Sequence, residues 1–196
     1  MKKLGALIFD CDGTLIDSAP VYAQAWAEGF ASSGAIIEPV RFKTWYMANN
    51  GLSESVLIDT FSSKCGAGVD REAVIARMRA AFLARLHEIR ENPAVAKIAK
   101  GFTGRLPMAV ASGGPRQIVE ACLSATGLRH LFAHVVTHDD VPVAKPAPAI
   151  FLEAARRLGV QPEQCVAFED SKVGIAAART ANMKVVDVSA SSYFSL

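Results

Sequence analysis

The chain carries ALIFDCDGT at residues 6–14, an apolar run that ends in two carboxylates and a glycine. A short run of aliphatic and aromatic residues bounded in this way predicts a buried β-strand. Side chains alternate along an extended chain, so Asp10 and Asp12 share one face, and Gly13 allows the backbone to turn at once. Two carboxylates this close are unfavourable unless a cation lies between them. We therefore interpret the pair as part of a functional site, not as a charged strand end.

Further apolar runs follow downstream and alternate with segments of helical periodicity. The predicted strands are Ala6–Phe9, Met108–Ala111, His134–Thr137, Cys165–Phe168 and Lys184–Val188. The predicted helices are Pro115–Thr126, Ala147–Leu158 and Val173–Ala181, with residues at their borders that are typical of helix ends. Alternation of strands and helices predicts an α/β fold, here a Rossmann-like parallel five-stranded sheet.

A long interval after the first strand contains no convincing strand pattern, and its apolar residues recur at helical spacing. Tyr22, Trp26 and Phe30 form an aromatic stripe of the kind that is typical of a helical core. Helical patterns begin after Ser18, Ser53 and Asp70, which can cap them, and the last pattern runs through Met78 and Phe82 to Leu86 and Ile89. The sequence therefore predicts a Rossmann-like core of residues 1–15 and 93–196 with an inserted helical domain of residues 16–92.

Polar groups follow the later strands where each strand ends. Ser112 and Gly113 precede a helix, an arrangement in which backbone N–H groups and the helix dipole can meet an anion. Lys145 stands before Pro146 on a stiffened loop, and Glu169 with Asp170 ends the fourth strand. Ligands of open parallel sheets bind beyond the carboxyl ends of the strands. We therefore expect these groups to converge with Asp10 and Asp12 on one site.

The charges at this site indicate its chemistry. Asp10, Asp12, Glu169 and Asp170 set four carboxylates against the single lysine, Lys145. Each like-charge contact at about 4 Å costs about 4 kcal/mol at an effective dielectric of about 20, so a phosphate dianion cannot bind there alone. A divalent cation is required, and the oxygen ligands favour Mg²⁺ over Zn²⁺.

The composition excludes several classes of protein. The 196 residues carry 21 Lys and Arg against 19 Asp and Glu, a net charge of +2, which is too weakly basic for binding dominated by nucleic acid phosphates. No apolar run approaches the roughly 18 residues that a membrane helix needs. The four cysteines and four histidines lack metal-ligand spacing, so we interpret the cysteines as reduced buried thiols. We expect a cytoplasmic protein with no nucleic acid or membrane partner.

Four segments together resemble a known family. They are FDCDGTLIDS (residues 9–18), VASGG (110–114), AKPAP (144–148) and FEDSKVGIAAA (168–178). In this order, and over the whole chain, they resemble the four motifs of the haloacid-dehalogenase-like phosphohydrolases. The resemblance is greatest to the subgroup that holds β-phosphoglucomutase and bacterial sugar-phosphate phosphatases of the fructose-1-phosphate and 6-phosphogluconate type.

The resemblance implies a role for each core residue. Asp10 would be the nucleophile that forms an aspartyl-phosphate, and Asp12 would protonate the leaving group and then activate water. Asp10 and Asp170 would bind Mg²⁺ through their carboxylates and Asp12 through its carbonyl, with Glu169 supporting the metal. Lys145 would hold phosphoryl oxygens together with Ser112, which completes the predicted catalytic set.

The remaining predicted substrate contacts are Thr14, Gly113, Asn50 and Arg116, and the last two are the least constrained by the motifs. Asp139 and Asp140 precede Lys145, where we expect them to hydrogen-bond the turn. The inserted domain looks like the family's α-helical cap, which closes over the site and selects the substrate. The resemblance thus implies a Mg²⁺-dependent phosphatase of a small sugar phosphate, with a small phosphorylated metabolite as its partner, acting as a monomer or homodimer.

Other activities are compatible with part of the pattern. A β-phosphoglucomutase-like mutase would share every core residue, but it carries an arginine for a second phosphate where this chain has Glu54, which would repel that phosphate. Asp12 and Lys145 with the Phe-Glu-Asp motif argue against a haloacid dehalogenase. A receiver-type signalling domain lacks a helical insertion, and a binding protein that has lost catalysis would show substituted catalytic positions. We expect hydrolysis and keep the mutase as the alternative.

Overall fold

The computed structural model describes residues 3–34, 39–48, 54–65 and 69–189, so the predictions for Asn50 and Ser53 lie outside the described residues. The strands are β1 (Ala6–Phe9), β2 (Ile16–Asp17), β3 (Arg90–Glu91), β4 (Met108–Ser112), β5 (His134–Thr137), β6 (Cys165–Glu169) and β7 (Lys184–Asp187). The helices are α1 (Ala19–Ala31), α2 (Pro39–Ala48), α3 (Glu54–Cys65), α4 (Arg71–Leu83), α5 (Pro93–Phe102), α6 (Arg116–Ala125), α7 (Ala149–Leu158) and α8 (Lys172–Thr180). The chain divides into two compact units between Asp17 and Ser18 and between Ile89 and Arg90.

The predicted α/β fold is confirmed by a five-stranded sheet of order β5-β4-β1-β6-β7. All its strand pairs are parallel, and β1 pairs with β4 on one side and with β6 on the other. The strand order therefore changes direction at β1, and ligands of such sheets bind beyond the carboxyl ends at this switch point. Asp10 is the residue that immediately follows β1 there.

Both faces of β1 are buried, which explains its unbroken apolar sequence. Ala6 and Ile8 belong to an alanine-rich core cluster that also contains Phe151 of α7. Phe9 stacks on Phe168 of β6, with ring centroids 4.5 Å apart. The strand end that carries Asp10 is thus fixed by packing, and a rigid support is what an active-site carboxylate requires.

The helical unit, Ser18–Ile89, differs in detail from its prediction. Trp26 and the other aromatic residues of its stripe are buried, as expected for a core. Asp70 caps α4 as predicted, because its Oδ1 accepts a hydrogen bond from Ala73 N at 3.1 Å. The predicted continuation of this helix to Ile89 is wrong: α4 ends at Leu83, and a separate 3₁₀ turn covers Leu86–Glu88.

A small second sheet was not predicted. Strand β2 pairs antiparallel with β3, Ile16 opposite Glu91 and Asp17 opposite Arg90, so the interval read as free of strands contains two. Two residues are too few to show the alternation by which a strand is recognised. Among the described residues no helix is long and apolar enough to cross a membrane.

Candidate active site

A buried lysine between two carboxylates lies at the centre of the site. Lys145 Nζ is 2.6 Å from Asp10 Oδ1 and 2.6 Å from Glu169 Oε1. The side chain of Lys145 is only 5% exposed, and those of Asp10 and Glu169 are 9% and 0% exposed. Burial alone would lower the pKa of Lys145, but the two carboxylates outweigh it and raise the pKa, so the ammonium group stays charged.

Asp170 completes a cluster in which Asp10, Glu169 and Asp170 each offer a carboxylate oxygen within 4.8 Å of the others. Burial raises the pKa of Asp10 well above its usual value, against the effect of Lys145 and with that of the neighbouring acids. Burial, followed by the charge of Glu169, raises the pKa of Asp170 to about 7. The crowded acids therefore favour an added cation, and a set made only of hard oxygen donors fits Mg²⁺.

Ser112 and Asp12 both lie near Gly114, at the start of the loop after β4. Ser112 is buried, and its Oγ accepts a hydrogen bond from Gly114 N at 3.1 Å. A Cβ on Gly114 would stand 3.4 Å from Ser112 Oγ and 3.5 Å from Asp12 Oδ2, which are ordinary contact distances, so Gly114 lies beside both groups. A Cβ on Gly113 would meet nothing within 4 Å, so open space adjoins this backbone.

The turn after β1 presses against Asp170. Thr14 is fully buried and its Oγ1 donates a hydrogen bond to Asp170 Oδ1 at 3.2 Å. Gly13 has a φ of +81°, and a Cβ on it would lie 2.2 Å from Asp170 Oδ2. Thr14, a predicted substrate contact, is therefore bonded to a carboxylate of the cluster. At position 13 only glycine fits beside that carboxylate.

The guanidinium contacts that the structure gives for Arg116 lead away from the carboxylate cluster. That group pairs with Asp140, which also accepts hydrogen bonds from Thr137 N at 2.8 Å and Arg157 Nη2 at 2.8 Å. The backbone N–H of Arg116 donates to Asp139 Oδ2 at 2.8 Å. Asp139 and Asp140 thus hold the turn, as predicted, and they join the start of α6 to the segment that leads to Lys145.

We expect Asp140→Ala to lower the free energy of unfolding by about 1–2 kcal/mol at pH 7, because it removes charge-assisted hydrogen bonds from a largely buried acceptor. Burial opposes ionisation of Asp140, but the Thr137 N–H and Arg157 bonds prevail and lower its pKa. A lowered pKa stabilises the fold above the usual value of 3.8, and that stability is lost as pH falls below it. Urea unfolding at pH 7 and at about pH 3 measures the difference.

The control for Asp140→Ala is Asp59→Ala, which breaks an ion pair with Arg71 whose side chains are 55% and 51% exposed. Exposed pairs contribute about 0–1 kcal/mol, so this variant should stay close to wild type. An equal effect of Asp140→Ala at both pH values, or an equal effect of the control, would contradict the assignment.

Sequence reasoning overlooked two residues at the start of α8. Ser171 precedes the predicted helix Val173–Ala181, and its N–H and Oγ donate to Glu169 Oε2 at 2.8 and 3.0 Å. Gly174 lies so near that a Cβ on it would be 1.7 Å from Glu169 Oε1. The available signal was the spacing, since a serine two residues after a buried strand-end acid can reach that acid.

The cysteines described in full agree with their prediction. Cys11, Cys122 and Cys165 are free and buried. Burial raises the pKa of the Cys165 thiol to about 11 and raises that of Cys11 well above its usual value. Such thiols are protonated at neutral pH and therefore poorly reactive.

A parallel sheet with a strand-end carboxylate cluster around a buried lysine defines an α/β enzyme with an acidic, cation-compatible site. Comparison with known proteins makes this specific, because the sequence matches the haloacid dehalogenase-like hydrolase family over residues 4–182. The chain belongs to this family. It is therefore an enzyme of a hydrolase family, and the phosphatases among its relatives support phosphoric monoester hydrolysis.

Two curated relatives cover nearly the whole chain. The chain is 38% identical to fructose-1-phosphate phosphatase YqaB of Escherichia coli K12 over 187 residues, which are 95% of this chain and 97% of the relative. It is 31% identical to hexitol phosphatase B of the same organism over 197 residues, covering 96% of this chain and 85% of the relative.

Solved structures agree with the fold. CbbY from Rhodobacter sphaeroides, determined in complex with phosphate, matches with a TM-score of 0.81 at 26% identity, over 93% of this chain and 84% of its own. A putative β-phosphoglucomutase from Thermotoga maritima matches with a TM-score of 0.73 at 28% identity over the same shares of the two chains, 93% and 84%.

Proposed function

We propose that this protein is a Mg²⁺-dependent phosphatase that hydrolyses a small sugar phosphate through an aspartyl-phosphate on Asp10. The observation that carries the proposal is the contact of Asp10 with the buried Lys145 at 2.6 Å, inside a cluster of three carboxylates. The relatives named as fructose-1-phosphate and hexitol phosphatases support the substrate class.

Asp10 and Asp12 divide the reaction between them. Asp10 attacks phosphorus, the bond from phosphorus to the sugar oxygen breaks, and a proton from Asp12 passes to the departing alkoxide. Asp12, now ionised, takes a proton from water as the water oxygen attacks the acyl phosphate. This second step releases inorganic phosphate and restores the Asp10 carboxylate.

The negatively charged phosphoryl oxygens require hydrogen-bond donors and positive charge. Ser112 Oγ, the backbone at Gly113 and Lys145 Nζ are the proposed phosphate ligands, and the start of α6 adds the positive end of a helix dipole. Thr14 acts by orienting Asp170, to which it is hydrogen-bonded, and Arg116 acts by holding the loop through Asp140. Neither residue is a direct substrate ligand in this proposal.

The carboxylates of Asp10 and Asp170 and the carbonyl of Asp12 would hold Mg²⁺. When bound, the metal supplies the positive charge that lets a phosphate dianion approach a cluster of acids. Glu169 supports these metal ligands indirectly, since one of its oxygens is bonded to Lys145 and the other to Ser171. Asp170 keeps one oxygen bonded to Thr14, which fixes the orientation of its carboxylate.

A mutase remains the second candidate, because the structure weakens one argument against it. Glu54, expected to repel a second phosphate, is bonded through both oxygens to Arg79, at 2.6 and 3.3 Å. The charge of this acid is thereby balanced within the helical unit. The likeness to a putative β-phosphoglucomutase also favours keeping the alternative.

The decisive experiment supplies a panel of phosphate esters with Mg²⁺ and, in parallel, with EDTA. The panel contains fructose 1-phosphate, a hexitol phosphate, and β-glucose 1-phosphate with a trace of glucose 1,6-bisphosphate. We expect inorganic phosphate from the sugar or hexitol esters in the reactions with Mg²⁺ and none in the reactions with EDTA. Formation of glucose 6-phosphate much faster than phosphate would establish the mutase, and no phosphate from any ester would overturn the phosphatase proposal.

Asp12→Asn is expected to slow hydrolysis of the preferred sugar phosphate by about 10²–10⁴-fold, because a sugar alkoxide needs a proton as it leaves. p-Nitrophenolate leaves without one, so the first-turnover burst of p-nitrophenol from p-nitrophenyl phosphate should remain close to wild type. Rapid-mixing measurements of both substrates test this difference. Asp17→Asn, which changes an exposed aspartate of β2, is the control. Equal losses in the burst and in sugar phosphate hydrolysis would reduce Asp12 to a structural role.

A further inference from the structure

The first turn of α8 holds Glu169 on the side away from Lys145. Glu169 Oε2 accepts hydrogen bonds from the N–H and the Oγ of Ser171, at 2.8 and 3.0 Å, while Oε1 receives Lys145 Nζ at 2.6 Å. Glu169 is fully buried. A buried carboxylate with protein donors on both oxygens has one fixed orientation, and that orientation sets where the lysine ammonium group lies.

The Ser171 hydroxyl has two partners, and Gly174 is one of them. The Ser171 Oγ accepts a hydrogen bond from the Gly174 N–H at 3.1 Å, and this bond caps α8. The single hydroxyl proton of Ser171 is therefore donated to Glu169. A Cβ on Gly174 would be 1.7 Å from Glu169 Oε1 and 2.0 Å from its carboxyl carbon. The helix can approach the carboxylate this closely only because position 174 has no side chain.

From these contacts we infer that Ser171 and Gly174 are positioning residues for the nucleophile. They fix Glu169, Glu169 fixes Lys145, and Lys145 holds Oδ1 of Asp10. The inference rests on the proposed function, because it assumes that Asp10 is the group that attacks phosphorus. A displacement of about 1 Å at a reacting group can cost about 100-fold in rate, so a loosened Glu169 reaches the chemistry through two contacts.

Ser171→Gly separates the two roles of the hydroxyl. Glycine is nearly as good as serine at the N-cap of a helix, but it has no side-chain donor for Glu169. We expect kcat to fall about 10–100-fold, the range seen when groups that orient catalytic ligands are removed. KM should change less than kcat, since two of the three proposed phosphate ligands, Ser112 and the backbone at Gly113, are unchanged. Ser171→Thr keeps a hydroxyl and should restore kcat to within about threefold of wild type.

Gly174→Ala is an independent second variant, and its Cβ should displace the Glu169 carboxylate with a similar loss of kcat. The matched control is Asn92→Gly, which replaces the residue that caps α5 through Ala94 N and leaves Glu169 untouched. All variants are assayed as the full chain with Mg²⁺ on p-nitrophenyl phosphate and fructose 1-phosphate, and thermal unfolding confirms that each is folded.

The outcomes are distinguishable. A loss in Ser171→Gly and Gly174→Ala, with recovery in Ser171→Thr and none in the control, supports the inference. Wild-type kcat in folded Ser171→Gly, the same loss in Ser171→Thr, or an equal loss in Asn92→Gly overturns it. If wild type itself releases no phosphate from either ester, the proposed function fails and the positioning inference fails with it. If wild type is active and Ser171→Gly has the same kcat, the positioning inference fails and the proposed function stands.

Discussion

Asp10→Asn is expected to reduce kcat by about 10⁴-fold or more, because an amide oxygen cannot form the acyl phosphate that carries the reaction. Acid-quenched reactions with labelled substrate should contain phosphate attached to wild-type protein and none attached to the variant. The matched control is Asp187→Asn, which changes an aspartate at the carboxyl end of another parallel strand, β7. A variant that retains wild-type turnover would overturn the aspartyl-phosphate mechanism.

The same substitution should leave the fold intact, which makes the loss of activity interpretable. Burial raises the pKa of Asp10, so its ionised form is held in the fold only with the help of Lys145. Asparagine has nearly the same shape and carries no charge to desolvate, and Lys145 keeps its second partner, Glu169. We expect a free energy of unfolding within about 1–2 kcal/mol of wild type.

The parallel sheet could be predicted because its strands are short, apolar and bounded by clear breaks. β1 has the predicted bounds, and β4 extends by a single residue to Ser112, which is itself buried. The convergence of Asp10, Lys145 and Glu169 could also be predicted without side-chain geometry. It follows from their position after parallel strands, whose carboxyl ends lie at one edge of the sheet.

Pairings between distant residues could not be predicted in the same way. Arg116 is a predicted substrate contact, but its guanidinium group pairs with Asp140, a residue of another loop. The sequence alone predicts that Glu54 repels a second phosphate, because the residue that balances its charge, Arg79, lies on a different helix. Sequence patterns give the period of an element, whereas these contacts depend on how elements pack.

Removal of metal is expected to abolish activity, and the pH dependence of stability should reveal why. Asp170 has a pKa of about 7, raised from 3.8 by burial and then by Glu169, so its carboxylate is less favourable in the fold than in the unfolded chain. A raised pKa contributes stability that is complete below about pH 3.8 and is lost as pH rises through about 7. Asp10, whose pKa is raised by the same cause, acts in the same direction.

In EDTA, the melting temperature should therefore decline as pH rises from about 3.8 to about 7. Mg²⁺ binds the ionised carboxylates, so the rise in melting temperature on adding it should grow over the same range, and turnover should return with it. Asp170→Asn removes one of the two titrating carboxylates, and we expect it to make both profiles shallower and to lose turnover even in excess Mg²⁺. Asp187→Asn should leave both profiles as in wild type. A Mg²⁺ effect that is the same at every pH, or full activity in EDTA, would show that the carboxylate cluster is not the metal site.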